Sequence, residues 1–148
     1  MQHGEAVWEE HDPTRPLTEK GRADVQRVVR YAVAHAGVRV DRIVHSGKLR
    51  ARQTAEIWRE HLPAAAITDA NGLDPAASPD IWAERLVGET RDLVIVGHRP
   101  HLARLAGRLL CDDPDREVVN VQNGGIVCLE RSEQGTWSVR WAVTAEIV

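Results

Sequence analysis

The chain has 148 residues, 43% of them apolar and 28% charged, with a formal net charge of −3. This composition is typical of one soluble globular domain over residues 1–148, and no apolar run approaches the roughly 18 residues of a membrane-spanning helix. With no basic run and no signal-like N-terminus, we expect a cytoplasmic protein that does not bind nucleic acid or membranes.

The first half of the chain predicts a loop, a helix, a strand and a second helix. Thr18 is well placed to cap the first helix, because two prolines precede it and apolar residues at helical spacing follow it. Gly37 is typical of a residue that ends such a helix. The predicted elements are a loop over 13–18, a helix from Thr18 to Gly37, a strand within 38–45 and a helix over 48–61.

The second half of the chain predicts a helix, a strand, another helix and a hairpin. Ser78 and Pro79 resemble a cap followed by a first-turn proline, and Leu93–Val96 is apolar throughout, as in a strand covered on both faces. The predicted elements are a mostly irregular segment over 63–79 with Ile67 in a short strand, a helix to about Val87, a strand over 93–96, a helix from Pro100, and a hairpin of 126–129 with 137–141 around Gly135. This order predicts a three-layer α/β/α sandwich with a mixed sheet and no opening strand.

Polar residues cluster where two predicted strands lead into helices. One junction runs from His45 to Arg50, and the other from Gly97 to Pro100. Ligands of open α/β sheets gather at such junctions, and a helix N-terminus offers free N–H groups to a phosphate. The sequence therefore predicts a phosphate site here, formed by a local cluster and not by the overall charge.

Four blocks of the sequence together resemble the histidine phosphatase superfamily. His3-Gly4-Glu5 resembles its Arg-His-Gly signature, and Pro16–Gly21 the segment that follows it. Ser46–Ala55 resembles the block in which an arginine follows a serine by four residues, and Val96-Gly97-His98 resembles the late histidine block. The resemblance covers residues 2 to about 130, and the short chain is most similar to the phosphohistidine phosphatase branch. It implies the three-layer fold with its first strand missing.

The resemblance also implies a mechanism and a set of site residues. His3 would be the nucleophile that accepts the phosphoryl group, Arg50 a clamp on its oxygens, and His98 a second imidazole in contact with them. Gln2 and Gly4 would complete the phosphate site, and no metal or other cofactor would be required. The substrate would be a phosphorylated protein, for example a histidine-containing phosphotransfer domain.

Several of these residues also have simpler interpretations. His3 alone could be a surface residue near the terminus, and His98 with His101 could suggest a metal pair, although no third ligand stands nearby. His45 could line the pocket, but we expect it to be structural. Residues 123–125 could form the rim of the pocket, but we expect them to be a plain turn. Cys111 and Cys128 are expected to be reduced and buried.

The absence of an obvious proton donor favours phosphohistidine as the substrate. Family members that hydrolyse phosphomonoesters typically carry an acidic donor for the alkoxide, and no Glu or Asp here matches that position, with Glu5 and Asp12 left open. A phosphohistidine has a better leaving group that is easily protonated. A broad phosphomonoesterase is the alternative enzyme.

Two departures from the family pattern bear on activity. Gln2 stands where the family has arginine, which predicts weaker phosphate binding or slower transfer. Only two residues precede His3, where the family has an apolar strand of about five residues whose burial contributes roughly 6–12 kcal/mol. We therefore expect poor order around His3, and the hypothesis is that the natural start lies upstream of Met1. Otherwise the chain could be a degenerate, non-catalytic phosphate-binding module.

Overall fold

The computed structural model describes residues 1–148 and contains four helices and five strands. Every predicted helix and strand is present, with ends that differ by a few residues from the predicted ones. In chain order the elements are α1 (Glu19–Ala34), β1 (Arg42–His45), α2 (Leu49–His61), β2 (Ala66–Asp69), α3 (Asp80–Gly88), β3 (Leu93–Val96), α4 (His101–Cys111), β4 (Ile126–Arg131) and β5 (Trp137–Val143).

Thr18 caps α1 as the sequence predicts, whereas α1 ends with His35 as its C-cap, before Gly37, and α3 begins after Pro79 and not at it. Thr18 is the N-cap of α1, and its hydroxyl accepts a hydrogen bond from the backbone N–H of Gly21 at 2.9 Å. The backbone N–H of Asp80 lies 3.3 Å from the hydroxyl of Ser78 at the start of α3. Gly37 has a φ of +66°, a left-handed conformation that glycine adopts without strain, and follows α1 by three residues.

The strands form two sheets. The first is parallel with the order β2-β1-β3, and the second is the antiparallel hairpin of β4 and β5. The predicted combination of parallel and antiparallel strands is therefore present, but it is divided between two sheets. Gln2 lies at their junction, with isolated bridges to Gly97 after β3 and to Asn123 before β4.

Helices pack on both faces of the parallel sheet and create two apolar cores. The larger core has 17 buried residues and joins α1 and α2 to one face of the sheet and to the hairpin, with Val28, Trp58 and Ile43 at its centre. The smaller core has five buried residues and joins α3 and α4 to the other face through Val44. Each face of the sheet thus buries a layer of helices, which is the predicted three-layer arrangement.

Residues 1–3 lie beside β3 although no full strand precedes His3. The N–H of His3 donates to the carbonyl of Gly97 at 3.1 Å, and the N–H of Gly97 donates to the carbonyl of Met1 at 3.1 Å. Met1 is buried in the larger core, where its sulfur accepts a hydrogen bond from the indole of Trp58. The structure therefore differs from the expected loss of order around His3, because backbone pairing and the Met1 side chain hold this segment.

The cysteines differ from the expectation of a buried pair. Both thiols are free, but Cys111 is exposed in the last turn of α4, and only Cys128 in β4 is partly buried. The buried residues of α4 lie between His101 and Gly107, so Cys111 at the end of the helix is outside the core. None of the four helices is long and apolar enough to cross a membrane.

Candidate active site

The imidazole of His3 is buried and held in one tautomer. Its Nδ1 lies 2.6 Å from the carbonyl oxygen of Gly4, and an oxygen acceptor requires that Nδ1 carry the proton. Its Nε2 accepts a hydrogen bond from Nε of Arg50 at 3.2 Å. The lone pair of Nε2 therefore points at the guanidinium of Arg50, which engages it through this hydrogen bond.

Two glycines allow the loop after His3 to pack against the first turn of α1. A Cβ atom on Gly21 would lie 2.1 Å from the carbonyl oxygen of Glu5, and a Cβ atom on Gly4 would lie 2.8 Å from the carbonyl oxygen of Gly21. Both distances are well inside van der Waals contact. Glycine at these positions brings the backbone of the first block against the block Pro16–Gly21, and so fixes the direction of His3.

Thr54 links the first block to α2. Its hydroxyl accepts a hydrogen bond from the backbone N–H of Gly4 at 3.1 Å and donates to the carbonyl of Arg50 at 2.8 Å. In the preceding position of α2, the side-chain oxygen of Gln53 accepts from the N–H of Leu17 at 2.8 Å. These contacts place the first turn of α2, and with it Arg50, against His3.

His98 lies beside His3, two residues after the end of β3. The two imidazole rings have centroids 5.0 Å apart, and Nε2 of His98 lies 2.5 Å from the hydroxyl of Ser46. Nδ1 of His98 is buried and has no hydrogen-bond partner. The structure thus brings His3, Arg50 and His98 together, from three distant parts of the chain.

His45 supports the turn that leads from β1 into α2. It is buried, and its Nδ1 accepts a hydrogen bond from the N–H of Gly47 at 3.0 Å. Gly47 has a φ of +82°, so the turn needs a residue that tolerates the left-handed conformation. This geometry agrees with the structural role expected for His45.

Positive groups surround the two histidines. Arg15 lies in the loop before α1 with a φ of +49°, and its Nε donates to the carbonyl of Val7 at 3.1 Å. Its charge is close enough to lower the pKa values of His3 and Arg50, and the charge of Lys48 likewise lowers the pKa of His98. Arg15, Lys48 and Arg50 thus concentrate positive charge around the histidines in a protein whose net charge is −3.

Burial and these charges keep both histidines neutral near pH 7. Burial is the main cause that lowers the pKa of His3 to about 4, and Arg50 and Arg15 add to it against the opposing hydrogen bond to Gly4. Burial also lowers the pKa of His98 to about 3, with further contributions from His3 and Arg50. Neutral imidazoles are the nucleophilic form, so the electrostatic environment suits an attack by His3.

The side chain of Gln2 is directed at the turn before β4. Its amide nitrogen donates a hydrogen bond to the side-chain oxygen of Asn123, and its own amide oxygen is buried without a partner. Residues 123–125 form the expected turn, with Gly124 at a φ of +68°. The contact with Gln2 also brings Asn123 to the edge of the site.

The two acidic residues that the sequence left open are directed elsewhere. The carboxylate of Glu5 accepts a hydrogen bond from the hydroxyl of Thr18 at 2.8 Å, and that of Asp12 accepts from the hydroxyl of Thr14 at 2.7 Å. The charge of a third carboxylate, exposed Glu9, acts on the pKa of Arg50 in the direction opposite to burial and Arg15. No group of three or more His, Cys, Asp or Glu side chains is placed to hold a metal ion.

Sequence reasoning missed four residues that shape the site. Ser46 stood inside a recognised block, but nothing in the sequence indicated that its hydroxyl meets His98. Thr54 also stood in that block, and a polar residue on the buried side of α2 is a signal that could have found it. Arg15 stood between two prolines in a segment interpreted only as a loop, and Glu9 carried no signal at all.

The family of the chain follows from a comparison of sequences. The sequence model described as "Histidine phosphatase superfamily (branch 1)" matches residues 1–74, which contain His3, Arg50 and the contacts between them. The chain belongs to the histidine phosphatase superfamily. None of the curated proteins matches this chain in sequence.

Solved structures share the fold of this chain. The protein histidine phosphatase SixA, solved with tungstate, is 21% identical with a TM-score of 0.84, over 99% of this chain and 96% of that chain. An alpha-ribazole phosphatase from Shigella flexneri is 16% identical with a TM-score of 0.76, over 95% and 92%. A mycobacterial glucosyl-3-phosphoglycerate phosphatase is 16% identical with a TM-score of 0.73, over 95% and 95%. At these identities the similarity establishes the fold.

Proposed function

We propose that this protein is a metal-independent phosphohistidine phosphatase that acts on phosphorylated proteins through a phosphohistidine intermediate on His3. The observation that carries the proposal is the hydrogen bonding of His3. Its Nδ1 is tied to the carbonyl of Gly4, and its Nε2 points its lone pair at Arg50 within a cluster of positive groups.

The proposed reaction has two steps at one phosphorus atom. In the first, the hydrogen bond from Arg50 Nε to His3 Nε2 breaks and the freed lone pair forms a bond to phosphorus. The bond from phosphorus to the substrate imidazole breaks, and that imidazole takes a proton from water. In the second, water attacks the phosphorus of phosphorylated His3, which releases inorganic phosphate and restores the neutral imidazole. No metal enters either step.

The positive groups would stabilise the charge that the phosphoryl oxygens carry during transfer. Nε of Arg50 contacts His3, which leaves the two terminal nitrogens of its guanidinium for two oxygens of the phosphoryl group. His98 lies beside His3 and would contact a further oxygen. Gly4, whose backbone packs against Gly21, holds His3 in place for the bound group. Arg15 adds positive charge at a point where Gln2 supplies none.

The leaving group supports phosphohistidine over a phosphomonoester. An alkoxide needs a proton from a placed acid, and the carboxylates of Glu5 and Asp12 are engaged with Thr18 and Thr14. An imidazole is a weaker base and a better leaving group, so solvent can supply its proton. The similarity of the fold to the protein histidine phosphatase SixA supports the same substrate class, a phosphorylated protein.

The test is to trap the phosphoenzyme. The protein is mixed for milliseconds with a ³²P-labelled phosphohistidine peptide and quenched in alkali, and the label is then mapped by digestion and mass spectrometry. We expect an alkali-stable, acid-labile label on His3 that is lost in His3→Ala and kept in His11→Ala, a control at an exposed histidine. Label on another residue, or turnover without any label on His3, would refute the mechanism.

Glu9 supports a second candidate, a broad phosphomonoesterase. This carboxylate lies near Arg50 and could protonate an alkoxide leaving group. The two candidates differ in Glu9→Gln, because a phosphomonoesterase would lose most of its activity on serine phosphate while a phosphohistidine phosphatase would keep its activity on the peptide. Glu10→Gln is the matched control, since Glu10 is the exposed neighbour.

Gln2 is the basis of the third candidate, a binding module without catalysis. Its amide is engaged with Asn123 and brings no charge to the site. In an enzyme, Gln2→Arg should raise kcat/KM by about tenfold, since one charged hydrogen bond contributes roughly 1.5–3 kcal/mol. The binding module would be favoured if the wild-type chain bound phosphate and neither the wild type nor Gln2→Arg formed a phosphoenzyme.

A further inference from the structure

Asn123 stands at the corner of a turn that packs against His3. The turn spans residues 122–125, and a backbone hydrogen bond of 2.9 Å between its last and first residues closes it. Gly124 takes the position of the turn that has a positive φ, here +68°, so Asn123 takes the corner before it. Asn123 is exposed whereas the two glycines after it are buried, and its carboxamide is therefore accessible to a ligand.

Backbone contacts fix this turn beside His3. The N–H of Gly124 donates to the carbonyl of His3 at 3.0 Å and to the carbonyl of Gln2 at 3.2 Å. Gln2 also bridges in parallel to Gly97, the residue before the second histidine of the site, and to Asn123. Both histidines and Asn123 thus follow or flank one short segment of paired backbone, which sets their relative positions.

The side chain of Gln2 determines which end of the Asn123 carboxamide is free. The amide nitrogen of Gln2 donates a hydrogen bond to Oδ1 of Asn123. A carboxamide has one acceptor oxygen and one NH2 group with two donors. Because Oδ1 is engaged, the free end of Asn123 is Nδ2, which can only donate. The oxygen of the buried Gln2 amide has no partner and is an acceptor, so it does not suit a phosphoryl oxygen.

We propose that Asn123 is a further phosphoryl-binding residue, whose Nδ2 donates a hydrogen bond to an oxygen of the group bound at His3. Gln2 is then a positioning residue, because it directs the donor end of Asn123 to the ligand and does not contact the ligand itself. The pair supplies a neutral donor where Gln2 brings no positive charge. This inference rests on the proposed function only in requiring that an oxyanion bind at His3, and it does not require turnover.

The experiment measures the dissociation constant of inorganic tungstate, a tetrahedral oxyanion, by isothermal titration calorimetry. In Asn123→Asp, Oδ1 keeps the hydrogen bond to Gln2 while a second carboxylate oxygen replaces the donor. We expect this variant to bind tungstate at least about tenfold more weakly, the scale of one lost hydrogen bond to a charged group. Asn120→Asp adds the same charge at an exposed position three residues earlier and should change the dissociation constant by less than about twofold.

Two uncharged variants test the positioning role of Gln2. Asn123→Ala removes the donor without adding a charge, and Gln2→Leu leaves Asn123 in place without its partner. Each should weaken tungstate binding about threefold to tenfold, and the double variant should bind no more weakly than Asn123→Ala, because the two side chains act as one unit. If the loss in the double variant equalled the product of the two single losses, the positioning role would be excluded.

A further measurement uses the wild-type chain and does not depend on the folding of a variant. In ¹⁵N–¹H spectra, the side-chain NH2 signals of Asn123 should move when tungstate is added, and those of Asn120 should not. Unmoved Asn123 signals at saturating tungstate, or wild-type affinity in Asn123→Asp, would overturn this inference and leave the proposed function intact. If wild type bound tungstate no more tightly than Arg50→Ala, the oxyanion site itself would be refuted, and the proposed function with it.

Discussion

His3→Gln is expected to make the protein less sensitive to acid. The folded state holds the pKa of His3 at about 4, chiefly through burial, against an ordinary value of 6.5. Below pH 6.5 His3 is protonated in the unfolded chain but stays neutral in the folded chain. The free energy of unfolding of the wild type therefore falls as the pH falls toward 4. The difference between these two pKa values (6.5 − 4 = 2.5) corresponds to about 3 kcal/mol of the free energy of unfolding. About 2 kcal/mol of this is lost between pH 7 and pH 5.

The assay is urea unfolding at pH 7 and pH 5, followed by circular dichroism. We expect wild type to lose about 2 kcal/mol more free energy of unfolding over this interval than His3→Gln does, because glutamine has no proton to gain. His35→Gln is the matched control, since His35 is exposed at the end of α1 and should leave the wild-type loss unchanged.

One result would refute the reasoning. If His3→Gln lost as much stability between pH 7 and pH 5 as wild type, His3 would be protonated in the folded state and the desolvation argument would fail. The neutral nucleophile of the proposed mechanism would then require a different explanation.

Three further predictions follow from the contacts of the site. Gly21→Ala should lower the free energy of unfolding by about 1–3 kcal/mol in urea titrations, because its Cβ would lie 2.1 Å from the Glu5 carbonyl, while Gly88→Ala, with open space around it, should be near neutral. Thr54→Val should cost about 1–3 kcal/mol and reduce kcat, since the buried N–H of Gly4 loses its acceptor; unchanged kcat would show that this contact does not position His3. Arg50→Lys should lower kcat/KM for a phosphohistidine peptide at least about tenfold, because an ammonium cannot donate two parallel hydrogen bonds to two phosphoryl oxygens as a guanidinium does. Full activity of this variant would exclude such a role for Arg50.

The helices and strands could be predicted from the sequence because their signals are local. The apolar spacing from Val25 to Ala32, the cap at Thr18 and the uninterrupted apolar run of β3 each depend on a few adjacent residues. The three residues expected to meet at the site also lie together, because each stands in a sequence block at the end of a strand or the start of a helix. The chemistry of that site remains a proposal.

The remaining features depended on contacts between distant parts of the chain. No spacing in the sequence indicates that Arg15 approaches His3, that the hydroxyl of Ser46 meets His98, or that Thr54 bridges Gly4 and Arg50. The division of the strands into two sheets likewise arises from packing, because a strand pattern specifies which face is apolar and not which neighbour it has. By itself the sequence determined the elements and the residue types for phosphate chemistry, whereas tertiary structure decided the tautomer of His3 and the charges around it.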